Sequence, residues 1–382
     1  MGKQADRLLI GGFAGVLFGM SILFFAQPMR TFSETENRSL QGIPKLSWSR
    51  VWSKKFSEQA ESFVTDHFPL RDSWVALKSE LEQLRGQREN NGIYRGEEGY
   101  LFEKFGEPDF GKAGAYADAV KRFAERNPQV STTFLLAPTS TGVYPNLLPW
   151  KASAYPESKV NDFVGERLKG SVAYIDGFGF LKPAADGDRQ IYYRTDHHWT
   201  TYGAYLAYAA YAEKMGWQPE PESAFDIRTV TDSFLGSYHT RSQFSGLKPD
   251  SIQVYAPKKP FATIVSIEDD GRTMDGLYDE SFLARKDKYS YFLGGVHALV
   301  KIETDLPAGS AKLDKLLVVK DSYAHSVIPF LTRHVPEIDV IDIRYYNGDI
   351  DDYMADNGIK NVLFLFNTAT FLEAGGLLGL NK

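Results

Sequence analysis

A chain of 382 residues, 43% hydrophobic and 24% charged, has a globular composition and is long enough to bury one large core or two moderate ones. Its formal net charge of -6 comes without a concentrated basic stripe. That argues against a nucleic-acid partner, because phosphate binding needs a dense positive surface. The chain has no cysteine and so uses neither disulfides nor thiols, as suits an exported protein.

The predicted elements begin with residues 8–29, LLIGGFAGVLFGMSILFFAQPM, which carry no charge. A bilayer span needs roughly 20 apolar residues. The run exceeds the ~7–15 residues of a signal-peptide core and offers no clear small-x-small cleavage site. Residues 1–30 therefore read as a signal anchor, with a cleaved signal peptide as the alternative. No later run approaches spanning length, so the remainder lies on one side of the membrane, expected to be the extracytoplasmic one. Residues 31–50 are polar and turn-rich, suited to a membrane-proximal stalk.

Residues 51–86 space Trp52, Phe56, Phe63, Trp74, Leu77, Leu81 and Leu84 largely as helices do, with a break near Pro69. Residues 91–102 read as a turn and a short hairpin. From 112 onward helix and strand alternate. Helices are predicted over 113–127, 159–170 and 202–216, and strands at 131–138 and 172–179. Tyr202, Tyr205, Tyr208 and Tyr211 recur every three residues, a packing face rather than a cofactor box. Residues 218–300 are less regular and read as an inserted, smaller β-rich region or subdomain. The C-terminal part returns to strands and helices, giving an α/β domain over 51–382 with a mostly parallel sheet flanked by helices.

Two segments carry the chemistry. RTDHHWTTYGA, residues 194–204, places Asp196 two residues before His198, so one rigid piece of backbone holds an imidazole and a carboxylate able to fix its tautomer. LLVVKDSYAHSVIPFL, residues 316–331, runs from a buried strand through a charged break to Ser322 and a predicted helix. A serine there sits at the open rim of a parallel sheet, with helix-start N–H groups nearby to stabilise an oxyanion. Asp321 or Ser322 acting simply as an N-cap is the competing reading. Asp196, His197 and His198 could also ligate a metal. However, adjacent histidines rarely both turn inward and no H-x-x-x-H partner is present, so neither metal nor cofactor is expected. His239 is a weaker candidate, in the glycine-containing LGSYHTRS segment.

TDHHWTTYGA, with FSETENRSL (32–40), DHFPLRDSW (66–74), NGIYRGEEGYLFE (91–103), LLAPTSTGVYP (135–145), KDSYAHSVIPFL (320–331) and DIRYY (342–346), resembles the DHHW family of bacterial envelope proteins. That family is distantly similar to the alginate O-acetylation proteins. The resemblance implies an SGNH-hydrolase-like α/β fold and carries a Ser–His–Asp set onto Ser322, His198 and Asp196. It also implies that His197, Trp199, Arg344 and Tyr345 contact substrate or support the site. The implied activity is O-acetyl transfer or ester hydrolysis on a polysaccharide, with a multi-span membrane acyltransferase supplying acetyl groups. A non-catalytic glycan-binding or assembly protein on a degenerate hydrolase fold is the rival class.

Overall fold

The computed structural model describes residues 3–33 and 38–381; residues 34–37, part of the 32–40 motif, lie outside them. The chain forms two compact units. One comprises residues up to 87 together with 243–246, and the other residues 88–242 and 247 onward.

In the first unit, helix α1 (Lys3–Ala26) is about 36 Å long at 1.5 Å per residue. Its span Gln4–Ala26 is long and, on average, apolar enough to cross a membrane, and none of its apolar window is buried within the protein. This is consistent with a single anchoring or signal segment. Helices α2 (Lys55–Asp66) and α3 (Arg71–Leu84) follow, separated near Pro69 as the sequence predicts. The Phe24 ring meets Phe63 edge-on at 6.1 Å, the Gln27 amide donates to the His67 carbonyl, and Arg30 pairs with Asp72 at 3.0 Å. Residues 51–87, read from the sequence as the start of the α/β domain, thus pack within this first unit.

The second unit is built on an eight-stranded mixed sheet. Its helices include α4 (Phe110–Arg126), α5 (Glu157–Leu168), α6 (Thr201–Lys214) and α7 (Ile350–Asp356). Besides a small antiparallel sheet of Glu89–Asn90, Ile93–Arg95 and Leu101–Glu103, its strands include β1 (Ser131–Ala137), β2 (Ala173–Asp176), β3 (Phe225–Phe234), β4 (Asp250–Pro257), β5 (Thr263–Ile267), β6 (Arg272–Asp275), β7 (Leu299–Thr304), β8 (Lys315–Lys320), β9 (Glu337–Asp342) and β10 (Asn361–Asn367). The sheet order is β6-β5-β7-β9-β8-β10-β1-β2. From β9 to β2 every pairing is parallel, with Val318 in register with both Val340 and Leu363. β5, β6 and β7 extend the other edge antiparallel.

Parallel strands are covered on both faces, which explains their unbroken apolar runs. Leu316, Val318, Leu363 and Leu365 pack on one side with Tyr208 and Tyr211 of α6. Leu317, Val319, Phe364 and Phe366 pack on the other with Phe123 of α4 and Val164 of α5. Each such side chain contributes roughly 1.5–3 kcal/mol of burial. The tyrosines of α6 do serve packing: Tyr208 stacks on Phe330 and Tyr205 on Tyr255.

The irregular stretch 218–300 divides. β3 and β4 pair only with each other, whereas β5, β6 and the start of β7 join the main sheet. Lone edge strands give weak sequence patterns because half of each is solvent-facing, and this is why they read as an insertion.

Candidate active site

β8 leaves the sheet at its carboxyl edge, where open α/β folds form their clefts. Leu316 to Val319 are fully buried. Asp321 then accepts hydrogen bonds through Oδ1 from the Tyr323 N–H at 2.9 Å and through Oδ2 from the N–H and Nδ2 of Asn367, at 2.8 and 2.7 Å. The cap is therefore Asp321, which leaves the Ser322 hydroxyl outside the turn's own bonding. Burial pushes the Asp321 carboxyl up to about 6 against the pull of the Asn367 and Tyr323 amides.

The predicted helix after the serine is a five-residue 3-10 turn, Ser322–Ser326, followed by a four-residue helix, Ile328–Leu331. Pro329 lacks an N–H and Val327 and Ile328 are β-branched, so no long helix propagates. The oxyanion expectation changes with it: the Tyr323 amide is bonded to the Asp321 carboxylate and the Ala324 amide to the Asp321 carbonyl at 3.3 Å. Lys320, two residues before the serine, bonds other groups. It is buried and donates to Asp342 at 2.9 Å and to His325 at 2.7 Å.

The second turn is closed by Asp196 itself. Its Oδ1 accepts from the His198 amide at 2.9 Å and meets His198 Nδ1 at 2.6 Å. Its Oδ2 accepts from the Ser237 amide at 2.7 Å. An aspartate two residues before its imidazole thus makes an Asx-type turn and orients the ring at once. Burial alone would raise the Asp196 carboxyl. The imidazoles of His197 and His198, the His198 hydrogen bond and the Ser237 amide outweigh it and hold the group well below the usual carboxylate range.

Three residues holding this turn are not signalled by sequence pattern. Asp250 accepts from the amides of Arg194 and Thr195, both at 2.9 Å, and from the Thr195 hydroxyl at 2.7 Å. Gly236 passes so close that a Cβ there would lie 2.2–2.6 Å from the Asp196 side chain. The third, Ser237, also meets His197 Nδ1 through Oγ at 2.6 Å. The Gly-Ser pair of LGSYHTRS was the only local hint.

The two turns meet. His198 Nε2 lies 2.7 Å from Ser322 Oγ, across 124 residues of chain. Hydroxyl, imidazole and carboxylate form one hydrogen-bonded line, in which the imidazole can take the hydroxyl proton while the carboxylate fixes its tautomer. Asp196 and His198 are buried, and Ser322 is partly exposed, so an outside molecule reaches the line from the serine end.

Trp199 is fully buried, and its Nε1 donates to the Tyr323 carbonyl and to Ser326 Oγ, both at 3.0 Å. It braces the serine turn and is out of reach of substrate. His197 keeps 34% of its side chain exposed; desolvation, then the charge of His198, lowers it from the ordinary histidine range. Arg344 forks onto Asp342 at 2.8 and 2.6 Å, and Tyr345 is 55% exposed. Arg344, Thr139 and Thr370, which follow β9, β1 and β10, help to line a cleft of about 590 Å³ at the serine's edge of the sheet. His239 faces Lys286 at 3.4 Å, outside the hydrogen-bonded line.

Asp196, His197 and His198 offer ligand atoms within 4.8 Å of one another, a geometry able to hold a metal ion. In this arrangement their facing atoms already have protein partners: Asp196 Oδ1 and His198 Nδ1 bond each other, Oδ2 takes the Ser237 amide, and His197 Nδ1 meets Ser237 Oγ.

A protein from Pseudomonas syringae pv. tomato named "Probable alginate O-acetylase AlgJ" is 24% identical over 259 residues, covering 63% of this chain and 64% of its own length. The chain thus spans just under two thirds of that relative. A DHHW family protein from Eubacterium siraeum, solved by crystallography, superposes with a TM-score of 0.66 at 26% identity, over 76% of this chain and 95% of that one. Bacillus cereus PatB1, solved with a sulfonyl adduct, superposes with a TM-score of 0.65 at 20% identity, over 76% and 98%. The DHHW protein family model matches residues 151–341, half of the chain and the span containing both turns. The chain belongs to the DHHW family and has its SGNH-hydrolase-like α/β fold.

Proposed function

We propose that the protein is an extracytoplasmic, serine-dependent O-acetyltransferase or acetylesterase acting on a cell-envelope or secreted polysaccharide. The observation that carries this reading is the 2.7 Å contact of His198 Nε2 with Ser322 Oγ, backed by Asp196 at 2.6 Å. The likeness to a probable alginate O-acetylase supports the polysaccharide class.

Ser322 Oγ attacks an acetyl carbonyl as its proton passes to His198 Nε2, and Asp196, held ionised, stabilises the imidazolium. The tetrahedral adduct collapses, His198 returns the proton to the departing alcohol, and an acetyl-serine remains. A sugar hydroxyl then gives its proton to His198 and attacks the acyl carbon, restoring Ser322 and leaving the acetyl group on the glycan. Water in place of the sugar gives acetate. The apolar α1 helix supplies the anchor, and acetyl groups come from a membrane-embedded acyltransferase, because a transferase outside the cytoplasm needs a donor on that side.

Release of nitrophenol from 4-nitrophenyl acetate by the full chain in detergent, beside Ser322→Ala, is the direct test. Turnover lost with Ser322, together with a sulfonyl fluoride mass adduct on Ser322, is the expected result. Equal rates in both proteins would overturn the serine assignment. A silent enzyme with no adduct and with glycan affinity unchanged in Ser322→Ala would favour the binding-protein reading. Activity removed by a chelator and regained with a divalent ion would favour a metal.

A further inference from the structure

We propose that Tyr289 is a positioning residue for this reaction: its ring is the wall against which the His198 imidazole is held, and its hydroxyl fastens that wall to the serine turn. The inference rests on the catalytic reading of Ser322, His198 and Asp196 and adds a residue to it. The Tyr289 ring lies on His198 with centroids 3.5 Å apart and planes within 10°. The tyrosine is buried, and its hydroxyl donates to the Ser322 carbonyl at 3.2 Å and meets Ser326 Oγ at 3.0 Å. Ser326 Oγ is the atom that Trp199 Nε1 also reaches. One side chain therefore joins the carrier of the base to the carrier of the nucleophile.

The chemistry gives the contact two consequences. Asp196 fixes one edge of the imidazole, but a hydrogen bond at Nδ1 leaves the ring free to rotate about that axis. A flat ring packed on its face removes this rotation and keeps Nε2 aimed at Ser322 Oγ. An aromatic face is also electron-rich and favours a cation lying on it, so Tyr289 stabilises the imidazolium that forms when Ser322 loses its proton. Asp196 and His197 from its own turn, His325 from the serine turn, and Tyr323 also act on the imidazole. Of these, only Tyr289 lies parallel against it. Tyr289 comes from the irregular stretch 288–291 and is seated by Tyr193, Phe234 and Phe292.

The test compares Tyr289→Phe, which keeps the ring, with Tyr289→Leu, which removes it, in the full chain. The leucine variant is expected to lose roughly tenfold or more in kcat with KM within about twofold. Its His198 titration, followed by NMR, should fall by about one unit. The phenylalanine variant should stay within about threefold of wild type with the His198 titration unmoved. A folded leucine variant that keeps both rate and titration overturns the proposal. So does a phenylalanine variant as impaired as the leucine one, since the effect would then follow the lost hydroxyl bonds to Ser322 and Ser326 instead of the ring face. If the leucine variant does not fold, the wild-type spectrum decides: His198 ring protons shifted upfield by the Tyr289 ring current support the stack, and unshifted ones refute it. The titration and ring shift do not need turnover, so they separate failure of this proposal from failure of the catalytic reading, which the Ser322 adduct reports.

Discussion

The parallel strands β8, β9, β10 and β1 and the irregular stretch from 225 to 292 build opposite halves of the site by different means. The strands deliver Ser322 through regular geometry: a buried apolar run ends at the sheet's rim, and one capped turn presents the hydroxyl. The irregular stretch, with Asp250, Gly236, Ser237 and Tyr289, holds the Asp196–His198 turn through individual close contacts. A nucleophile needs only to be exposed at a fixed place, and a sheet provides that. A base must be fixed in position, tilt and tautomer, and each degree of freedom takes its own neighbour.

The two halves differ in their buried aspartates as well. Asp196 is held ionised by the two neighbouring imidazoles, the His198 hydrogen bond and the Ser237 amide; Asp321 faces mainly amides, and burial raises it to about 6. Full burial alone does not set the charge of a carboxylate. The groups that bond and face it decide the balance.

The largest break in the comparison is expected from Ser322→Ala, which removes the proposed nucleophile without disturbing the turn capped by Asp321. Ester turnover should fall by at least about 10³-fold while thermal stability is nearly unchanged. Asp196→Asn follows, at about 10²–10⁴-fold in kcat. Because the amide NH2 replaces one accepting oxygen, either the Ser237 amide or the His198 pair loses its acceptor, and Tm should fall, which circular dichroism reads. A stable, fully active asparagine variant would remove Asp196 from the mechanism.

Gly236→Ala tests the irregular half with a single methyl group. The added carbon would meet the Asp196 side chain, so we expect about tenfold lower kcat and a loss of 1–3 kcal/mol, roughly the cost of overpacking. Chemical denaturation and ester kinetics would check both figures, and an unaffected variant would show that the turn has slack. The smallest effect concerns pH. Glu157 is buried at the start of α5 and takes hydrogen bonds from Thr139; burial pushes its carboxyl up to about 7. The unfolded group releases its proton near 4.5, so between these values the folded state binds more protons and stability declines as pH rises. Tm should therefore fall from pH 5 to pH 7.5, and Glu157→Gln should flatten that slope. An equal slope in both proteins would assign it to other groups, Asp321 foremost.

Much of the fold was legible from the chain. The strands at 131–137 and 315–320, the helices at 110–126 and 201–214 and the apolar N-terminal helix follow from periodicity and composition, because each buries a continuous face. The short helix Ile350–Asp356 was not separable from its polar loop, and the edge strands β5 and β6 read as an insertion because half-buried strands carry weak patterns. Ser322, His198 and Asp196 were recognisable as a set from residue type and family motif. Asp250, Gly236 and Tyr289 were not, since an acid, a glycine and an aromatic in a loop have no pattern of their own.

What the sequence by itself determined is local: Asp196 and His198 two residues apart must share a turn, and an apolar strand ending in Lys-Asp-Ser must put a polar turn at a sheet's rim. What only the tertiary structure decided is which turns meet. The order β9-β8-β10-β1 and the packing of residues 225–292 bring His198 within 2.7 Å of a serine 124 positions away and lay Tyr289 on its ring. Periodicity records which face of an element is buried. It carries no label for the partner that buries it, and that choice is made only when the whole core closes.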